Sequence, residues 1–151
     1  MENTFKITTR SDSETVRVAE NLESDKFPNM VICLNGDLGS GKTVFAKGFA
    51  GAMGIDEVTS PTFNIIKEYN GELPLYHMDV YRTNGDVLSL GLEEYFNKGG
   101  VTIIEWAEMI EDYLPDERLD ITFKITGENS RVMVITPHGE KYLALCEGSL
   151  W

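Results

Sequence analysis

Basic residues are scarce in this chain: 13 lysines and arginines stand against 25 acidic residues, a formal net charge of −12. Such a surface repels phosphate backbones, so unaided nucleic-acid binding is not expected. Cysteine is nearly absent, with only Cys33 and Cys146. Their spacing fits neither a metal site nor a redox pair, and Cys33 falls in an apolar run, where it reads as a small inert hydrophobe. No apolar stretch approaches the length needed to span a membrane. Met1 to Arg10 lack the apolar centre of a signal peptide, which makes the cytoplasm the expected compartment. No repeat, linker or low-complexity segment divides the chain. With 151 residues and 42% hydrophobic content, residues 1–151 are expected to form a single domain with a real core.

What is present is organised around residues 31–49. Met30 to Leu34 reads as a buried strand. Gly36-Asp37-Leu38-Gly39-Ser40-Gly41-Lys42-Thr43 then fits G-x-x-x-x-G-K-[ST] without mismatch. Val44, Phe45, Phe49 and Ala50 follow at helical spacing, with the helix ending near Gly51 to Gly54. Strand, glycine-rich loop and helix form the setting in which this motif binds nucleotide. The glycines let successive N–H groups turn inward around phosphate oxygens. The helix start adds unpaired N–H groups and a positive dipole end. Lys42 can reach the β- and γ-phosphates, and the Thr43 hydroxyl can ligate Mg²⁺.

Around this loop the elements alternate. Phe5 to Thr9 reads as a strand, and Ser11-Asp12-Ser13-Glu14 as a capping box opening a helix to about Glu23, with Val16, Ala19 and Leu22 on one face. Phe63 to Tyr69 and Leu73 to Tyr81 read as a hairpin turning at Asn70-Gly71. Val87 to Leu90 and Leu92 to Phe96 read as short helical turns. Val101 to Ile104 is a second buried strand, and Leu119 to Thr126 with Arg131 to Pro137 a second hairpin. Lys141 to Cys146 is strand or helix; its periodicity does not decide. The expected fold is one α/β domain of P-loop nucleotide-hydrolase type. Its mixed sheet should have a parallel centre, antiparallel flanking strands, and helices on both faces.

A Mg²⁺–nucleotide site needs a carboxylate near Thr43. Glu105 follows the buried run Val101 to Ile104, where such an acid belongs, with one methylene more than the usual Asp. Asp79 is the second candidate; strand alternation puts it on one face with His77 and Tyr81, against Tyr76, Met78 and Val80 on the other. The alternative for Asp79 is an interstrand hydrogen-bond partner, and His77 reads as a structural histidine. Thr62, after Ser60-Pro61, is a candidate sensor of the γ-phosphate or of a Mg²⁺-bound water. Trp106 reads as packing.

Gly36-Asp-Leu-Gly-Ser-Gly-Lys-Thr43, Ser60-Pro-Thr62, His77-Met-Asp-Val-Tyr-Arg82, Gly91-Leu-Glu-Glu-Tyr-Phe96 and Ile104-Glu-Trp106 occur here in that order. Together they resemble the TsaE family of small bacterial ATPases, over residues from about 5 to 145. The resemblance implies an ATPase that supports formation of threonylcarbamoyladenosine beside the tRNA anticodon. It implies TsaD and TsaB as partners, TsaD performing the transfer, with contact to tRNA only through that complex. It implies Mg²⁺ on Thr43 and Glu105, with Asp79 and Thr62 near the metal and γ-phosphate. It also implies adenine against the segments around Thr9 and Arg131.

Three other readings compete with this one. A guanine-specific switch needs Asn-Lys-x-Asp, and Asn97-Lys98-Gly99-Gly100 lacks the acid. A small-molecule P-loop kinase usually closes an arginine-bearing lid, whereas Met109 to Asp120 is acidic. A nucleotide-dependent binding module with no meaningful turnover uses the same residues and stays open at this level.

Overall fold

The computed structural model describes residues 3–55, 65–81 and 91–150. Thr62, Arg82 and the expected turn at Val87 to Leu90 lie outside them. Seven strands form one sheet: β1 (Phe5–Thr9), β2 (Val31–Gly36), β3 (Ile66–Asn70), β4 (Pro74–Asp79), β5 (Val101–Glu105), β6 (Arg118–Ile125) and β7 (Arg131–His138). The α-helices are α1 (Asp12–Glu23), α2 (Lys42–Ala52) and α3 (Glu140–Ser149).

The strand order is β1-β7-β6-β2-β5-β4-β3. The four central strands, β6, β2, β5 and β4, run parallel; β3 on one flank and β7 on the other pair antiparallel to them, and β1 pairs antiparallel to β7 at the outer edge. This is the expected mixed sheet. β2 lies between two parallel neighbours, which is why its run is apolar on both sides. Ile32 and Leu34 enter the core beneath the α-helices, and Val31 and Cys33 enter a smaller core on the opposite face. That second face is covered by two 3-10 segments, Leu92–Asn97 and Ala107–Tyr113. Among the described residues no helix is long and apolar enough to cross a membrane.

The capping box forms with one change. Ser11 Oγ accepts from Glu14 N–H at 3.2 Å, but the Glu14 carboxylate reaches Arg10 N–H at 2.9 Å, one residue beyond the cap. The buried face of α1 is Thr15, Val18, Ala19 and Leu22. Val16, expected on it, is half-buried at the flank and meets α2 instead. A Cβ on Gly48 would come within 3.1 Å of Val16, so the glycine sets how closely the two helices approach. Thr15 can be buried because its hydroxyl shares a 2.9 Å hydrogen bond with Thr9 Oγ1.

Two other expectations shift. The returning strand ends at Asp79, so Tyr81 lies beyond it, 54% exposed, rather than on a strand face with His77. The undecided tail is helix α3, with Tyr142, Leu145 and Cys146 buried. The Tyr142 hydroxyl accepts from Val31 N–H at 2.8 Å, and burial pushes its pKa up to about 12.

α2 is anchored by Phe45 and Phe49, both fully buried with ring centroids 6.4 Å apart. Phe49→Ala is expected to cost about 3–5 kcal/mol. Urea unfolding checks this: the midpoint should fall with the slope unchanged. A loss below about 1 kcal/mol would mean that α2 does not depend on this packing.

Candidate functional site

The parallel register brings three strand ends level. Leu34 pairs with Glu105, and Asp79 pairs with Glu105 from the other side. The glycine-rich loop, Asp79 and Glu105 therefore emerge together at the carboxyl edge of the sheet, where open α/β sheets bind ligands. A cavity of about 320 Å³ lies there. Gly39 to Val44 line one wall, Asp79, Glu105 and Trp106 the inner end, and Ser11, Asp12, Thr15, Asn129 and Arg131 the outer end.

The loop needs its glycines. At Gly36, with φ +141°, a Cβ would stand 2.7 Å from the Phe123 carbonyl oxygen. At Gly41 φ is +113°, and α2 starts at the next residue. Ser40 is buried, and its hydroxyl has no hydrogen-bond partner among the described residues.

Lys42 is buried at the base of the loop. Its ammonium donates to the carbonyl oxygens of Gly36 and Asp37, and lies 3.4 Å from the centroid of the Trp106 ring. Burial lowers its pKa, opposed by the carboxylates of Glu105, Glu108, Asp79 and Asp37. Trp106 adopts φ +63°, a left-handed conformation that is costly for a bulky side chain. The Tyr81 ring also lies against it, with centroids 4.8 Å apart.

The Thr43 hydroxyl donates to Glu105 Oε1 at 3.0 Å. Glu105 is buried, and its Oε2 lies 2.6 Å from His77 Nε2. Asp79 accepts from Tyr81 N–H at 3.1 Å. Burial raises its carboxyl pKa, partly offset by that bond. Among the described residues no group of three or more His, Cys, Asp or Glu could hold a metal ion by itself. Magnesium takes one or two carboxylates and completes its shell with phosphate oxygens and water. Thr43, Glu105 and Asp79 supply a donor set of that size.

Of the residues expected at the site, Leu38, Gly39, Ser40, Gly41, Lys42, Thr43, Asp79, Glu105 and Arg131 line the cavity. Gly36 and Asp37 stand behind it, holding Lys42 by their carbonyls. Arg131 braces the β6–β7 loop against the phosphate loop, donating to Gly39 O at 3.1 Å and Ser130 O at 2.9 Å. Thr9 is buried and reaches the cavity only through Thr15. Ser11, Asp12, Thr15, Val44, Asn129 and Trp106, which reads as packing in the sequence, also line it; the strong cap signal at Ser11 locates the helix start but not its neighbour.

This sheet order, with the G-x-x-x-x-G-K-[ST] loop between β2 and α2, defines a P-loop nucleotide-binding fold. The sequence model described as "Threonylcarbamoyl adenosine biosynthesis protein TsaE" matches residues 9–133. The chain belongs to the TsaE family. A relative from Bacillus subtilis (strain 168), named tRNA threonylcarbamoyladenosine biosynthesis protein TsaE, is 50% identical over 141 residues, covering 92% of this chain and 89% of the relative. A relative of the same name from Treponema pallidum (strain Nichols) is 40% identical over 108 residues, covering 70% and 80%. The crystal structure of Bacillus subtilis YdiB superposes with a TM-score of 0.87 at 47% identity, covering 97% of this chain and 94% of that one.

Proposed function

We propose that this chain is a Mg²⁺-dependent ATPase, one domain over residues 1–151, that supports formation of threonylcarbamoyladenosine in tRNA. It acts in the cytoplasm with TsaD and TsaB proteins. The observation that carries the chemistry is the 3.0 Å hydrogen bond from Thr43, the last residue of the phosphate loop, to Glu105 at the end of the neighbouring strand. The pathway rests on the family and on the names of its relatives.

In this reading the loop amides of Gly39 to Thr43 bind phosphate oxygens, and Lys42 leaves its carbonyl partners for the β- and γ-phosphates. Thr43 and Glu105 would hold Mg²⁺, with Asp79 beside them, and Thr62 would sense the γ-phosphate. The metal, when bound, would supply positive charge to offset the negative charge developing on the transferring phosphoryl group. Thr9 and Arg131 belong to the adenine side.

Among the described residues, the cations lining the cavity are Lys42 and Arg131. Arg118 is held by Asp120 at 2.9 Å, and Arg131 is committed to loop carbonyls. P-loop hydrolases gain about 10³–10⁵ in rate from a supplied arginine. The isolated chain is therefore expected to release phosphate slowly, and the TsaD–TsaB complex to accelerate it by completing the site. With a net charge of −12, the chain meets tRNA only through those partners.

Reconstitution tests the proposal. Threonylcarbamoyl transfer to unmodified tRNA by the partner proteins should depend on this chain and on ATP. Transfer at full, sustained rate without it would overturn the role. Fast phosphate release by the chain alone, unchanged by partners, would overturn partner gating.

A further inference from the structure

We propose that His77 is a positioning residue that holds Glu105 in the orientation needed for Mg²⁺, an inference that rests on the metal role given to Glu105 above. His77 is fully buried in β4. It pairs in register with Ile103, and its ring reaches diagonally across the sheet to Glu105, two residues further along β5. The Nε2–Oε2 distance is 2.6 Å, with side-chain exposures of 1% and 4%. Nδ1 is buried and has no hydrogen-bond partner among the described residues. A histidine serving only the core would ordinarily satisfy both ring nitrogens. Here the one nitrogen in use is the one aimed at the candidate metal carboxylate.

The chemistry of the chain of contacts gives the direction of each bond. An ionised carboxylate only accepts, so the proton between the ring and Glu105 belongs to His77 Nε2. Glu105 Oε1 receives the single hydroxyl proton of Thr43. Both lone pairs of Thr43 Oγ1 are then left for a cation. Without the Nε2–H bond the Glu105 carboxyl can rotate, and Thr43 loses the acceptor that fixes its hydroxyl. Partners of metal-site carboxylates of this kind are typically worth about 10–100-fold in metal affinity or activity.

The test compares His77→Asn, which removes the donor at the Nε2 position, with His77→Gln, whose amide nitrogen can return one there. Calorimetry follows ATP binding across a Mg²⁺ titration and in EDTA. His77→Asn should raise the half-saturating Mg²⁺ concentration about tenfold or more, while ATP affinity in EDTA stays near wild type. His77→Gln should recover most of the loss, and His77→Asn should add nothing further in a Glu105→Ala background. An unchanged Mg²⁺ requirement in His77→Asn overturns the inference, as does equal failure of the Gln variant or an additive effect on Glu105→Ala. If Glu105→Ala itself keeps the wild-type Mg²⁺ requirement, the metal reading of Glu105 fails instead, and the His77 role with it. Should both His77 variants fail to fold, ¹⁵N NMR of the wild-type imidazole at neutral pH decides. A proton on Nε2 supports the assignment, and one on Nδ1 alone overturns it.

Discussion

Lys42→Ala is expected to abolish productive ATP binding. Among the described residues, Lys42 is the one lysine lining the cavity, and the other cation there, Arg131, is tied to the carbonyls of Gly39 and Ser130. The acids around it, Asp79, Glu105 and Glu108, raise the cost of admitting a triphosphate once the ammonium is gone. Removing one partner of a buried, charge-assisted hydrogen bond costs about 2–5 kcal/mol. At tenfold per roughly 1.4 kcal/mol, ATP affinity should fall by between one and four decades. Titration calorimetry with ATP and Mg²⁺ reads this directly. Wild-type affinity in the variant would remove the phosphate-loop assignment.

Glu105→Ala should separate binding from turnover. The loop amides of Gly39 to Thr43 remain, and they provide much of the grip on the ground-state nucleotide. The carboxylate matters most where charge develops, so its loss should fall on kcat. Phosphate release is expected to drop by about 10–100-fold or more, with ATP affinity in EDTA near wild type. The change also leaves the His77 N–H without its acceptor, at a cost of about 1–3 kcal/mol in stability. Asp79→Asn should act in the same direction but less severely, because the Asp79 carboxylate accepts from the Tyr81 N–H and is partly open. Wild-type turnover in both variants would contradict the metal site.

These two residues were legible because each sits in a short, local pattern. Lys42 belongs to a contiguous motif, and Glu105 closes an apolar run whose length alone marks a buried strand. The parallel centre of the sheet was legible for the same reason, since β2 and β5 are apolar on both faces. The outer end of the cavity was not legible. Thr15 and Asp12 reach it because β1 pairs antiparallel with β7, setting Thr9 opposite Arg131. Nothing local to either segment encodes that pairing. The partnership of His77 with Glu105 was hidden likewise: it depends on β4–β5 register across 28 residues. Strand alternation gave the correct face for His77 and Asp79 but not the neighbour. It failed for Tyr81 because β4 ends at Asp79. The tail stayed undecided for want of length. Tyr142, Leu145, Cys146 and Ser149 are all buried at helical spacing, but Lys141 to Cys146 alone holds too little of that repeat to decide.

The central proposal is Mg²⁺-dependent hydrolysis at the Thr43–Glu105 pair. The measurement is steady-state phosphate release from ATP by the wild-type chain together with TsaD and TsaB, run in Mg²⁺ and in EDTA. Release that proceeds in Mg²⁺, stops in EDTA and falls sharply with Glu105→Ala is the predicted result. No release above the partners' background in Mg²⁺, or release indifferent to EDTA, would contradict it.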